Sequence, residues 1–267
     1  MEGLLIEGVL GAGVGLVLGL TGAGGAILSV PLLSFFLDLT VAQAAPIGLL
    51  AVFLSAGVGA ILGLRAQILR YKAALLIAVS GLILSPIGIW LAQQLPNWPL
   101  VIIFVLILLW VARNMWQQAQ KEILGIEPAL GPPCQLDQDI GKFIWTLPCA
   151  RALSLSGMCA GFFSGLLGVG GGFIIVPALN RYTDLPMKSI VATSLGVLTL
   201  VSGGGVLFSN IYGVMDWAIA MPFALASMMG LLIGRQIAWR LPAPQLKKAF
   251  AILATGIALL MLSRLGQ

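Results

Sequence analysis

The chain contains no histidine. That removes the commonest metal ligand, an axial haem histidine, histidine general-base catalysis and histidine proton relays. Cysteine is almost as scarce. Cys134, Cys149 and Cys159 are the only three, none lies in a CxxC pair, and neither a zinc site nor a disulfide framework is expected. Cys149 and Cys159 are ten residues apart, about 15 Å along a helix, which is too far to bond. Both read as small packing residues. Charge is short as well: 9% of the 267 residues are Asp, Glu, Lys or Arg, against roughly a quarter in a soluble domain. With 60% hydrophobic residues and a mean hydropathy of +1.07, the chain has too few polar groups to cover a water-facing globule. It reads as an all-α, multi-pass protein of the cell membrane, of the bacterial inner-membrane kind. No catalytic constellation, metal-ligand cluster or cofactor motif stands out, so the chain is not expected to be an enzyme or to carry a cofactor.

The net charge of +5 does not point to nucleic acid. The Lys and Arg residues sit in short connections between apolar runs, where they orient a membrane protein. Those runs fall near 4–37, 42–64, 73–95, 99–116, 149–180, 189–210, 215–239 and 246–263. One long polar stretch interrupts them, and it divides the chain into a first transmembrane repeat (1–117), a loop (118–148) and a second repeat (149–267).

The two repeats are related in sequence. At an offset of 146 residues, GLVLGLTGAGGAILSVPLL (15–33) aligns with GFFSGLLGVGGGFIIVPAL (161–179), with nine of nineteen positions identical. Asp38-Leu39 falls on Asp184-Leu185, Gly88 on Gly234 and Leu95-Pro96 on Leu241-Pro242 without a gap. One offset kept over so much chain is an internal duplication, the usual construction of secondary transporters.

The first run of each repeat is too long for one straight span. Residues 4–37 as a helix would measure about 50 Å, against a hydrocarbon core of about 30 Å, and both runs are broken by glycine. If each crossed the membrane, the fourteen Lys and Arg residues would divide eight to six between the faces. If each is a re-entrant hairpin followed by three full spans, all but Arg264 fall on one face. The positive-inside rule selects the hairpin arrangement, with inverted repeats, the 118–148 loop in the cytoplasm and both termini outside.

Gly11, Gly15 and Gly19, and their counterparts Gly157, Gly161 and Gly165, are spaced by four and read as packing stripes. The breaks are different. Gly22, Gly24 and Gly25, with Gly168, Gly170, Gly171 and Gly172, are too dense for a stripe. They free backbone N–H groups, which a bilayer tolerates only in a cavity or inside protein. A short apolar helix follows each break. Its N-terminus carries partial positive charge and unpaired donors, which suit an anion. Two such termini from inverted halves would meet near the middle of the membrane.

The segment GLLGVGGGFIIVPAL, with its weaker partner GLTGAGGAILSVPLL, resembles the signature of the sulfite exporter TauE/SafE family of membrane permeases. The resemblance covers nearly the whole chain apart from the middle loop. It implies two homologous halves and transport, in either direction, of sulfite, thiosulfate, sulfonates such as sulfoacetate or related anions. The stretch Thr193-Ser194-Leu195 followed by Ser202-Gly203 also resembles the family's second-half helix. The first half departs from the pattern, with Ala26 for the last glycine and Ile47-Gly48 where Thr193-Ser194 stand.

Thr193, Ser194 and Ser202 are therefore the side-chain donors expected to complete the anion's shell beside the seven break glycines. Arg65 and Arg235, at cytoplasmic span ends, are candidates for a vestibule. Asp38 and Asp184 match across the repeat and read as structural ties. The expected function is a secondary transporter for a small sulfur-containing anion. A passive anion channel and a membrane thiol relay are the alternatives, the relay requiring a reactive cysteine pair.

Overall fold

The computed structural model describes residues 2–22, 25–124, 134, 146–211, 215–238 and 242–265. These form ten helices and no strand: α1 (Glu2–Thr21), α2 (Ala26–Phe36), α3 (Val41–Arg65), α4 (Tyr71–Gln94), α5 (Asn97–Ile123), α6 (Leu147–Leu167), α7 (Gly172–Tyr182), α8 (Met187–Ile211), α9 (Trp217–Ala238) and α10 (Ala243–Leu265). Helix is what a bilayer demands, because every backbone polar group must find its partner within the segment. Starts are set locally. Thr40 caps α3 in a capping box with Gln43, and the Thr146 hydroxyl accepts the Cys149 N–H at the start of α6. α5 runs through Ile123, so the first residues of the polar stretch are helical rather than loop.

Seven of the helices are long and apolar enough to cross a membrane, namely α3, α4, α5, α6, α8, α9 and α10. The seventh, beyond the six full spans expected, is α6, the first limb of the second glycine-broken run. Its 21 residues measure about 31 Å, whereas the 11 residues of α7 measure about 16 Å. Each broken run is thus one long limb and one short limb. The short limb folds back: a Cβ on Gly25 would strike the backbone of Val14 and Leu18, and one on Gly171 would strike Ala160. α7 therefore begins in the interior, about two turns short of the end of α6.

The glycine stripes pack as expected, but across the halves. Gly11, Gly15 and Gly19 of α1 abut Phe223, Ser227 and Leu231 of α9, and Gly157, Gly161 and Gly165 of α6 abut Ile77, Gly81 and Ser85 of α4. Both pairs run in the same direction. In the centre, α3 and α8 run antiparallel, with Gly57 near Thr199 and Gly63 near Ala192. Their fully buried Val52, Ala56, Val197 and Leu198 form the middle of the core. An ion pair of 2.8 Å between Lys247 and Glu122 joins the start of α10 to the end of α5. These directions gather Arg65, Lys72, Lys121, Arg151, Arg181, Lys188 and Lys247 at one end of the bundle, called the basic face below. Outward-facing Ile83, Leu106, Leu207 and Leu259 are exposed, as a lipid-contacting wall requires.

One expectation is overturned. Cys134 and Cys149 form a disulfide across 15 residues of sequence, leaving Cys159 as the free cysteine. The Cys134 N–H also donates to the Tyr182 carbonyl at 3.0 Å. The disulfide and this hydrogen bond together tie Cys134 to both ends of the α6–α7 hairpin. Spacing along the chain does not reveal the pair, because the hairpin's return brings Cys134 and Cys149 together.

Candidate functional site

The second glycine break contains three left-handed residues. Gly168, Gly170 and Gly171 have φ of 70°, 69° and 72°, a region that an L side chain enters only at a cost. Gly168 ends α6 by donating its N–H to the Ser164 carbonyl, Gly171 is the N-cap of α7, and Gly172 is its first residue. In that first turn the Ile174 and Ile175 N–H groups donate to the Gly171 carbonyl, which leaves those of Gly172 and Phe173 without a partner in the helix. Gly170 is wedged between the two central helices. A Cβ there would lie 2.8 Å from Ser202 Oγ, 2.8 Å from Leu198 Cδ2 and 3.0 Å from Val52 Cγ1. Ser202 is fully buried, and its hydroxyl has no hydrogen-bond partner. A buried hydroxyl without a partner is uncommon and calls for an explanation. Ser164, on the last turns of α6, is in the same condition, as is Ser85 on α4.

The first break is different. Gly22 has φ of 75° and lies against the side chain of Val191. Gly25 is right-handed, with φ of −60°, and is glycine because it meets the backbone of α1. Gly24 lies outside the described residues. The Ser194 hydroxyl is shared between the Gly22 carbonyl at 3.2 Å and the Val191 carbonyl at 2.9 Å. Thr193 Oγ1 accepts the Arg70 N–H at 3.1 Å and so fastens the turn between α3 and α4. The three hydroxyls singled out in the sequence therefore do not converge. Ser194 serves the first break, Thr193 serves a turn on the basic face, and Ser202 alone faces the second break. The two short helices do touch each other, and Ser29 of α2 and the Gly168 carbonyl both lie against Gly48.

A cavity of about 340 Å³ opens beside these breaks at the basic end of the bundle. Thr21, Phe173, Val191 and Leu195 are among its walls, and Lys188, Arg235 and Lys247 bring positive charge to it. Arg65, paired with Arg235 in the sequence reading, does not line it. Lys188 and Lys247 were not picked out there, although the offset of 146 sets Ala42, Ile89 and Val101 opposite Lys188, Arg235 and Lys247. A charge found in only one copy of a repeat was the available signal. At the opposite end, a smaller cavity of about 230 Å³ is lined by Ser34, Asp38, Thr40 and Asn97 and by no cation. No cluster of metal-ligating side chains occurs among the described residues.

A multi-pass helical bundle with broken helices, buried glycine turns and a cavity among its helices is the architecture of a membrane transporter. Comparison with known proteins agrees. The family model described as "Sulfite exporter TauE/SafE" matches residues 8–261. The chain is 28% identical to a "Probable membrane transporter protein" of Xylella fastidiosa (strain Temecula1), over 99% of this chain and 97% of that one. It is 27% identical to "Probable membrane transporter protein YjnA" of Bacillus subtilis, over 94% and 98%. It is 27% identical to "Probable membrane transporter protein MJ0441" of Methanocaldococcus jannaschii, over 86% and 85%. No solved structure matches the chain. The protein belongs to the sulfite exporter TauE/SafE family. It is a multi-pass membrane transporter rather than an enzyme, with a small-molecule substrate.

Proposed function

We propose that the protein is a secondary transporter for a small oxyanion, with sulfite, thiosulfate or a short sulfonate leading, built as two inverted repeats with the basic face in the cytoplasm. The inverted arrangement is supported by helix limits that repeat at the offset of 146, residue for residue in α2 and α7 and in α3 and α8. It is supported too by the antiparallel packing of α3 on α8. The orientation follows from the positive-inside rule.

The observation that carries the substrate reading is the buried, unpartnered Ser202 hydroxyl beside Gly170, at the start of a short helix. Free N–H donors, the positive end of the α7 dipole and one hydroxyl make a small shell for negative charge in a low-dielectric site. The preference for sulfur comes from the family alone, since the same donors suit phosphate or a carboxylate. The test is flux into liposomes of the purified protein, with thiosulfate and sulfite against phosphate, acetate and a monovalent cation. Saturable anion uptake that follows an imposed ion gradient supports the reading. Saturable cation uptake with no response to any anion overturns it. Anion uptake that ignores every gradient would make the protein a passive channel.

The Cys134–Cys149 bond supplies the cysteine pair that a thiol relay needs, but at one end of the bundle only. With three cysteines in the chain, Cys159 is the only one left, and no second pair exists to receive electrons at the other face.

A further inference from the structure

We propose that Arg235 is the residue that selects the ligand of the cavity on the basic face, and that this ligand is an organic anion with an apolar body rather than an inorganic oxyanion. The proposal rests on the anion-transport reading above and narrows it, taking the short sulfonate over sulfite and thiosulfate and naming the recognising charge and the shape of what it recognises.

The three cations of the cavity are not equivalent. Lys247 is committed to Glu122 at 2.8 Å, and Lys188 is exposed at the start of α8. Arg235 is half-buried in the last turn of α9. Its Nη1 donates to the Gly59 carbonyl of α3 at 3.3 Å, and among the described residues no carboxylate lies within ion-pair distance of it. One carbonyl uses one of the five donors of a guanidinium. A charge half withdrawn from water and left without a counter-ion is costly, and an anion bound in the cavity removes that cost. The planar fork suits a carboxylate or sulfonate head.

The walls describe the rest of the ligand. Val111, Met115, Phe173, Leu195, Leu231 and Phe250 surround the charge with hydrocarbon. The volume of about 340 Å³ falls at the lower end of the range of about 300–1,000 Å³ typical of sites for small organic ligands. An inorganic oxyanion would leave most of that surface without a partner. The cavity also has a defined place in the fold. α1 ends in it with Gly19–Thr21, and Val191, which lines it, is the residue against Gly22. Arg235 thus shares one cavity with the end of α1 and with Phe173 in the first turn of α7.

The test measures binding of butanesulfonate to the full-length protein in lipid nanodiscs, with sulfate, butanol and butylammonium as comparators. Wild type should bind butanesulfonate saturably and more tightly than any comparator. Arg235→Gln should weaken butanesulfonate about tenfold or more, the loss of a charged hydrogen bond, while leaving butanol unchanged. Arg235→Lys should recover part of the affinity, and Met115→Trp, which fills the cavity from α5, should weaken butanesulfonate with the charge intact. Undiminished affinity in a folded Arg235→Gln protein, or sulfate binding as tightly as butanesulfonate, overturns the proposal. Flux in liposomes separates the two readings. Gradient-driven uptake of thiosulfate with no butanesulfonate binding sinks this proposal and spares the transporter for small oxyanions. Arg235-dependent binding without anion flux does the reverse.

Discussion

The two glycine breaks share a pattern in sequence and differ in what surrounds them. At the first, the only left-handed glycine described is Gly22, and its carbonyl is tied down by Ser194. At the second, three glycines are left-handed and the neighbouring hydroxyl, Ser202, is tied to nothing. The counterpart of Ser202 in the first half is Ala56, and the counterpart of Ser194 is Gly48. Duplication supplied two glycine-broken turns. Substitution of the facing helix then made one a clamped structural turn and left the other with an open donor. Polarity is divided in the same way, with three cations lining one cavity and Asp38 in the other.

The largest way to break this contrast is at Gly171. Gly171→Ala places a Cβ at φ of 72° and against the Ala160 backbone. The strain of a left-handed alanine is about 1–2 kcal/mol, and the clash forces α7 off its position. Anion flux in liposomes should be abolished in protein that still inserts. Gly22→Ala carries similar strain, but its Cβ meets the Val191 side chain, so flux should fall less. Equal loss in both would mean the two breaks are equivalent after all.

Ser202→Ala is the sharper, smaller change. It removes a hydroxyl that has no partner, so thermal stability should stay level or rise. Transport should fall about tenfold, the value of one hydrogen bond to a charged group. Normal flux in this variant removes Ser202 from the anion's shell.

Ser194→Ala and Thr193→Val should behave in the opposite sense. Each deletes a structural hydrogen bond, and melting of the purified protein should show a loss of about 1 kcal/mol. The order of preference among competing anions should not change. A changed order in either variant would return that hydroxyl to the binding site.

The smallest effect concerns the tie at the base of the second hairpin, which has no cysteine counterpart in the first. Protein purified in air should show one reactive thiol, Cys159, and three after reduction. Disulfides do not persist in a reducing cytoplasm. Alkylation of intact cells before lysis should therefore find Cys134 and Cys149 as thiols, if the basic face is the cytoplasmic one. A disulfide already formed in those cells would turn the assigned orientation over.

Composition alone required a membrane-spanning helical protein, because so few charges cannot cover a soluble surface. The glycine pattern and the offset of 146 located both breaks, since a duplication preserves spacing as well as residues. Side-chain pairing was beyond the reach of the sequence. Thr193, Ser194 and Ser202 occupy one helix within ten residues and look alike as donors, yet only packing against Arg70, Gly22 and Gly170 assigns each a different role. The same holds for Cys134 and Cys149, and for Arg235 facing Gly59 across 176 residues of chain. Local spacing determines which backbone is helical and where it must break. Which polar atom finds a partner, and which is left open for a ligand, depends on contacts between segments far apart in the chain, and these only the tertiary structure decides.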